Sequence, residues 1–302
     1  MANETILVTG ATGQVGRRLV PRLLSWCEPG DAVRVLVRTR EAAERFEALG
    51  AQAVVGDITE AADRKRALDG VALVVNAAAT FRDLRIGESD MYAVNRDAAV
   101  ALARESVQAG VRRFVQVSTI HVYGPGVGRP VREDDELRAP DAGEGERHRV
   151  YPHSKREAEE QIKALCAETG FDVITLRLPF VYGDGDPHID NALAHFRLGD
   201  QAAHALMPMG HHADVAQAVQ RALRTARPEG PGYVAYNIAG DAASTMYELF
   251  ELGRREFDVA AAAGRTVEDP WRGVPDVTRA YRELGFRPIY PTAKAAWRDG
   301  AL

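Results

Sequence analysis

Short, continuously apolar runs alternate along this chain with longer stretches in which apolar positions recur at helical spacing. Thr5 to Val8, Ala32 to Val37, Ala51 to Val55, Val71 to Asn76, Arg113 to Val117, Asp172 to Leu176 and Tyr233 to Ile238 read as strands. Gly13 to Trp26, Arg40 to Leu49, a charged stretch ending at Leu68, Glu88 to Ala109, Tyr151 to Thr169 and Asp214 to Thr225 read as helices. Strands apolar on both sides, separated by helices of this length, predict an α/β fold with a parallel sheet covered on both faces. Right-handed crossovers make that sheet doubly wound. The pattern puts 1–178 in the core domain, with 213–240 returning to it, and 179–212 and 241–302 in a smaller lobe. Two stretches carry no periodicity and are predicted as loops, 124–149 and 182–212.

Composition narrows the function classes. With Lys plus Arg at 38 and Asp plus Glu at 43, the net charge is -5, which disfavours nonspecific nucleic-acid or anionic-membrane partners. Cys27 and Cys166 stand alone, so neither a disulfide framework nor a metal site is expected. The opening MANETILVTG lacks a signal-peptide pattern, and no run reaches the ~18 residues of a membrane span. The expected address is the cytoplasm.

The first strand runs into Thr9-Gly10-Ala11-Thr12-Gly13-Gln14-Val15-Gly16, which opens the first helix. Gly10 allows positive φ, Gly13 lets backbone amides approach a pyrophosphate, and Gly16 lets the helix pack close to the sheet. The helix N-terminus would then carry the anion, as in a Rossmann dinucleotide site. Glycine turns also serve packing alone. Their position in a strand–turn–helix at the chain start favours the dinucleotide.

At the end of the second strand an acidic residue would select NAD(H). Here Arg38 stands, followed by Thr39 and Arg40. Arg38 can pair with a 2′-phosphate, which favours NADP(H) over NAD(H), or it is a solvated charge. Asp57 is placed either to accept from adenine or to cap the following helix.

Tyr151-Pro152-His153-Ser154-Lys155 puts a phenol and an amine one helical turn apart on one face. A phenol of pKa ~10 is a poor base at neutral pH. A neighbouring ammonium, with the oxidised nicotinamide, favours the phenolate, which can exchange a proton with a substrate oxygen. Upstream, Ser118 and Thr119 place two hydroxyls at a strand's carboxyl end, where doubly wound sheets bind ligands.

These motifs together resemble the extended short-chain dehydrogenase/reductase family of the NAD-dependent epimerase/dehydratase type. The likeness rests on TGATGQVG at 9–16, GDI at 56–58, NAAA at 76–79, VSTIHVYG at 117–124, YPHSK at 151–155, RLPFVYG at 177–183 and HHADVAQAV at 211–219. It implies Tyr151 as acid/base, Lys155 as its partner and holder of the nicotinamide ribose, and Thr119 as the substrate-orienting hydroxyl, with Ser118 the alternative. It implies that Asp57, Ile58, Asn76, Ala77, Ala78, Ala79 and Pro179 line the dinucleotide. Asn95 either steadies the helix behind the site or lies on a helix surface. The resemblance also implies a homodimer through the helices at 88–109 and 151–169.

Departures from the family pattern point to the substrate. Ile120-His121 stands where sugar dehydratases carry Asp-Glu, so water elimination is disfavoured. Phe180 stands where nucleotide-sugar enzymes carry Asn, and Met207-Pro208-Met209-Gly210 replaces a phosphate-gripping Arg. Losing such charge-assisted contacts, about 1.5–3 kcal/mol each, favours a weakly charged carbonyl or alcohol as the small-molecule substrate. His121 and His153 flank the site, as substrate contacts or as loop histidines without a chemical role. Asp214 reads as a structural first-turn residue, Trp271 and Trp297 as core of the lobe, and the charged loop 132–149 as a solvated flap. A nucleotide-sugar epimerase and a non-catalytic cofactor-binding regulator are the competing functions.

Overall fold

The computed structural model describes residues 4–81, 87–139, 147–195, 202–227, 230–253, 258–262 and 264–302. Its strands are β1 (Thr5–Thr9), β2 (Ala32–Val37), β3 (Gln52–Val55), β4 (Leu73–Asn76), β5 (Arg113–Thr119), β6 (Val173–Leu178), β7 (Phe180–Tyr182), β8 (Leu206–Met207), β9 (Met209–His211), β10 (Tyr233–Asn237) and β11 (Ser244–Thr245). Its helices include α1 (Gly16–Trp26), α2 (Arg40–Glu47), α3 (Ala61–Leu68), α4 (Glu88–Tyr92), α5 (Ala99–Gln108), α6 (Arg147–Thr169), α7 (His188–His195) and α8 (His212–Arg224). Seven strands form one sheet in the order β10–β6–β5–β4–β1–β2–β3, and every pairing is parallel. This is the doubly wound Rossmann-like sheet that the apolar runs predict. Its chain order reverses beside β1, where such folds open a crevice at the carboxyl edge.

Alternation along β1 builds the two cores. Ile6 and Val8 face the layer of α1, α2 and α8, while Leu7 faces the layer of α3, α5 and α6. Helix α8 shows the matching stripe, burying Val215, Ala216, Ala218, Val219, Ala222 and Leu223 at helical spacing. Each fully buried Val, Leu or Phe contributes about 1.5–3 kcal/mol. A separate apolar cluster gathers Tyr182, Met209, Met246, Leu249, Phe250, Ala293 and Ala296 from the segments assigned to the smaller lobe.

Several sequence expectations are corrected. Helix α1 begins at Gly16 rather than Gly13, because Gly10–Val15 is spent on the turn. Gly16 packs on that turn: an added Cβ would lie 2.2 Å from the Gly10 carbonyl oxygen. The helix at 88–109 is broken by a π-helical turn, Ala93–Ala98. Helix α6 starts four residues before Tyr151, so Pro152 lies inside it. The stretch 182–212 holds α7, β8 and β9 rather than a bare loop.

Over its described part, 132–139, the charged loop is solvated along one side, with Arg132, Asp134, Glu136 and Arg138 exposed, and anchored along the other. Val131 and Ala139 are buried, Val131 bridges to Pro275, and Asp135 takes both Arg129 guanidinium donors. The remainder, 140–146, lies outside the described residues. Trp271 and Trp297 are exposed, not core.

Asp214 is structural, as expected. It accepts the Tyr290 amide at 3.4 Å and the Ile289 amide, tying the C-terminal segment to α8. Burial, only partly offset by those amides, lifts its carboxyl from 3.8 to about 6. A raised folded pKa means the native state holds the proton more tightly, so this group's contribution to stability falls as pH rises from 3.8 to about 6. The Tm difference between Asp214→Asn and the native chain is therefore expected to shift in favour of the variant as pH is raised from about 4 to about 7. A pH-independent difference in thermal scans would exclude this.

Candidate active site

The carboxyl ends of β1, β4 and β5 bring together segments distant in sequence. After β1, Gly10 takes φ +68° and donates space as well: a Cβ there would sit 2.5 Å from the backbone of Ala77 and Ala78. Gly13 donates its amide to the Gly10 carbonyl at 3.0 Å, while its own Cβ direction meets only that oxygen, at 3.3 Å. Thr12, Gly13 and Gln14 are exposed. Helix α1 has no side-chain cap and no acidic residue in its first turn, so no negative side chain there opposes its dipole. These residues fit a dinucleotide pyrophosphate.

Arg38 is exposed, with no hydrogen bond or ion pair to another described residue. Thr39 caps α2 through the Ala42 amide, and Arg40 is spent on Glu44 and Glu47. Asp57 does not cap α3, whose N-cap is Glu60; its carboxylate accepts from Thr59 N and Oγ1 at 2.9 and 2.8 Å. Ile58 is half-buried, and its carbonyl accepts from Arg64.

Asn76 is fully buried. Thr9 donates to its Oδ1 at 2.6 Å, and its Nδ2 donates to Gln116 at 2.9 Å, so its side chain laces β1, β4 and β5 together. Ala77 is half-buried, Ala78 buried and Ala79 exposed along the strand exit, and Pro179 is buried beside Gly210.

Lys155 reaches from α6 to the end of β5, where Nζ donates to the Val117 carbonyl at 2.7 Å. It is 2% exposed, and burial, against the opposing pull of Glu159, pushes its pKa down to about 8. Tyr151, one turn earlier, is half-buried, and the Phe81 ring meets it edge-on with centroids 4.5 Å apart. Thr119 ends β5 and accepts from the His121 amide at 3.3 Å. Ser118 instead donates to the buried carboxylate of Glu159.

The two flanking histidines separate. His121 is exposed on the short turn after Thr119. His153 is buried, 2.6 Å from the Tyr92 hydroxyl and 3.7 Å from Glu157, about half a turn round the helix from Tyr151. Phe180 stacks on His188 at 4.0 Å. His211 caps α8, and His212 pairs with Asp186 at 2.7 Å. No metal-binding cluster occurs among the described residues. No described helix is long and apolar enough to cross a membrane.

Asn95 is buried, not on a helix surface. It accepts the Thr80 amide at 2.8 Å and donates to the Thr80 carbonyl and to Ser154 Oγ at 3.0 and 3.2 Å. It thereby ties the loop carrying Phe81 to the helix carrying Tyr151. Two further participants escaped the sequence reading, Phe81 and Glu159. Glu159 was within reach of it, because it continues the Tyr151, Lys155 face by one more turn.

A parallel doubly wound sheet, a glycine turn before an uncapped helix, and Lys155 on the β5 edge one helical turn from Tyr151 accord with an enzyme of the short-chain dehydrogenase/reductase type. The model of the NAD dependent epimerase/dehydratase family matches residues 6–239, and the chain belongs to that family. Among curated proteins it is similar to the 4-hydroxy-2-methyl-3-oxo-4-farnesyl-3,4-dihydroquinoline-1-oxide ketoreductase of Stigmatella aurantiaca. The identity is 29% over 90% of this chain and 82% of the relative. It is also 34% identical to the UDP-glucose 4-epimerase of Vibrio cholerae, over 60% of this chain and 53% of that protein. The dTDP-glucose 4,6-dehydratase of Streptomyces venezuelae, solved with NAD and TYD bound, superposes with a TM-score of 0.75. That comparison has 26% identity, covering 97% of this chain and 95% of that one.

Proposed function

We propose that this chain is an NADP(H)-dependent ketoreductase or alcohol dehydrogenase for a weakly charged carbonyl or alcohol substrate. The observation that carries the reading is the buried Lys155 on the β5 edge, one turn from a Tyr151 whose ring is flanked by Phe81. The nicotinamide supplies or accepts the hydride when bound. Tyr151 gives its phenolic proton to the forming alkoxide in reduction, and takes it back in oxidation. Lys155 favours the phenolate by its charge, and Thr119 orients the substrate oxygen. Phe81 and Phe180 offer apolar area and no counter-charge to a sugar diphosphate. The ketoreductase relative, similar over most of both chains, supports the same reading.

Screening ketones and nucleotide sugars with NADPH and NADH tests it. The expected result is stoichiometric NADPH oxidation by a ketone; failure of every ketone alongside turnover of a nucleotide sugar would overturn it. The similarity to UDP-glucose 4-epimerase favours a second reading, epimerisation on a retained NAD. Purified protein holding a non-exchanging NAD, with no net consumption, would select that one.

Cofactor choice has its own test. Arg38→Ala removes the pairing to a 2′-phosphate, worth about 1.5–3 kcal/mol or roughly ten- to a hundredfold in affinity. NADPH binding is expected to weaken by that factor with NADH unaffected. Native protein that prefers NADH in titration would refute the NADP(H) assignment.

A further inference from the structure

One side chain behind the site has a connectivity that packing alone does not require. Glu159 is 1% exposed, on the α6 face that carries Tyr151 and Lys155. Its Oε2 accepts from Arg177 Nε and Nη2 at 3.0 and 2.8 Å and from the Tyr233 hydroxyl at 3.0 Å, which ties α6 to β6 and β10. Its Oε1 takes Ser118 Oγ, with Arg177 Nε more distant at 3.4 Å. Ser118 and Arg177 are register partners across β5 and β6, so the carboxylate sits over that pair.

Ser118 lies between the two residues on which the chemistry depends. The Val117 carbonyl holds the Lys155 ammonium, and Thr119 carries the orienting hydroxyl. A buried ion pair is costly to desolvate, and apolar side chains of the same volume stabilise a helix–sheet contact as well or better. Stability therefore gives no reason for a carboxylate here, whereas aiming the 117–119 edge does. The counter-charge is held in turn: Arg177 donates to the Tyr123 hydroxyl at 2.7 Å and to the Glu133 carbonyl at 3.1 Å, and Tyr123 donates to Asn237 at 2.7 Å.

We propose that Glu159 is a positioning residue: through Ser118 it fixes the strand edge from which Val117 holds Lys155 and Thr119 is presented, with Arg177 as its counter-charge. This rests on the reading that Tyr151, Lys155 and Thr119 carry the reaction. It also assigns Ser118 to the support of the edge, leaving the substrate hydroxyl to Thr119.

The test compares Glu159→Gln, Glu159→Asp, Ser118→Ala and Tyr233→Phe in the full chain, with active sites counted by dinucleotide titration. Misplacement of reacting groups by about an ångström costs up to roughly a hundredfold, so Glu159→Gln is expected to lower kcat by about ten- to a hundredfold. Its dinucleotide KM should stay within about threefold of native, since the glycine turn is untouched. The alkaline limb of its kcat profile should move to lower pH, because Lys155 loses the neighbouring negative charge. Glu159→Asp should recover part of kcat.

Tyr233→Phe removes one donor to Oε2 and leaves the Ser118 bond. It should lower Tm with kcat within about twofold of native. Ser118→Ala should lower kcat without raising the dinucleotide KM. In the double variant with Glu159→Asp the two losses should not multiply, as for residues acting as one unit. If Glu159→Gln does not fold, Glu159→Asp and Ser118→Ala carry the same comparison. Native kcat and pH profile in Glu159→Gln, or multiplying losses in the double variant, overturn the proposal while leaving the Tyr151 chemistry intact. An active Tyr151→Phe overturns that chemistry instead, and this proposal with it.

Discussion

Tyr151→Phe is expected to lower kcat by about 10²- to 10⁴-fold while binding the dinucleotide as the native chain does. The substitution removes one oxygen and leaves the ring, so its edge-on contact with Phe81 and its place on α6 persist. Lys155 keeps its bond to the Val117 carbonyl, and the glycine turn lies on a different helix. What is lost is the proton that must reach the substrate oxygen as hydride reaches carbon. Without it the alkoxide has no positioned donor except water. Stopped-flow or steady-state NADPH oxidation, read beside a fluorescence titration of NADPH, separates the two effects. Turnover near the native rate would show that another group moves the proton. A matching loss of dinucleotide affinity would show that the hydroxyl serves binding instead.

Gly10→Ala is expected to have the largest effect outside the Tyr151/Lys155 pair. The residue sits at φ +68°, a conformation that costs an L side chain about 1–2 kcal/mol. The new methyl would lie 2.5 Å from the backbone of Ala77 and Ala78. Backbone cannot swing aside like a flexible side chain, so overpacking adds roughly 1–3 kcal/mol. Together these destabilise by about 2–5 kcal/mol and lower Tm by roughly 3–8 °C for a chain of this size. The same displacement moves the Gly10 carbonyl away from the Gly13 amide, opening the turn proposed to receive the pyrophosphate. Dinucleotide affinity should fall in parallel, measured on the folded fraction at low temperature. Native Tm and native affinity in this variant would rule out the close approach of the two turns.

The sheet was legible because its strands are apolar on both faces and its helices are long. The run VALVVN cannot be solvated on either side, and β4 there is buried throughout. The Tyr/Lys pair was equally legible, since spacing along one helix fixes which side chains share a face. Contacts made at a distance were not. Asn95 resembles any polar residue of an amphipathic helix until the π-helical turn carries it inward to the Thr80 backbone. His153 sits two residues from Tyr151 in sequence, but helical geometry turns it towards Tyr92. The charged segment 132–139 looks solvated by composition. Its position is set by partners more than 40 residues away, Arg177, Asn237 and Asp276 among them. Trp271 and Trp297 show the converse error, because large apolar side chains at a surface carry no sequence mark.

Six residues in π geometry between α4 and α5 mean that the helix carries a surplus relative to a regular spiral. Excising a single residue there would let the backbone relax into ordinary i→i−4 bonding with both flanks facing as before, because the wide turn already absorbs the extra residue. Leu102 and Ala103 would keep their place in the core and Met91 and Tyr92 theirs, and what would go is the inward reach of Asn95 to the Thr80 backbone. The register of this one helix is thus a mechanical setting: it lets a buried amide hold the loop of Phe81 while the same helix keeps its grip on the core.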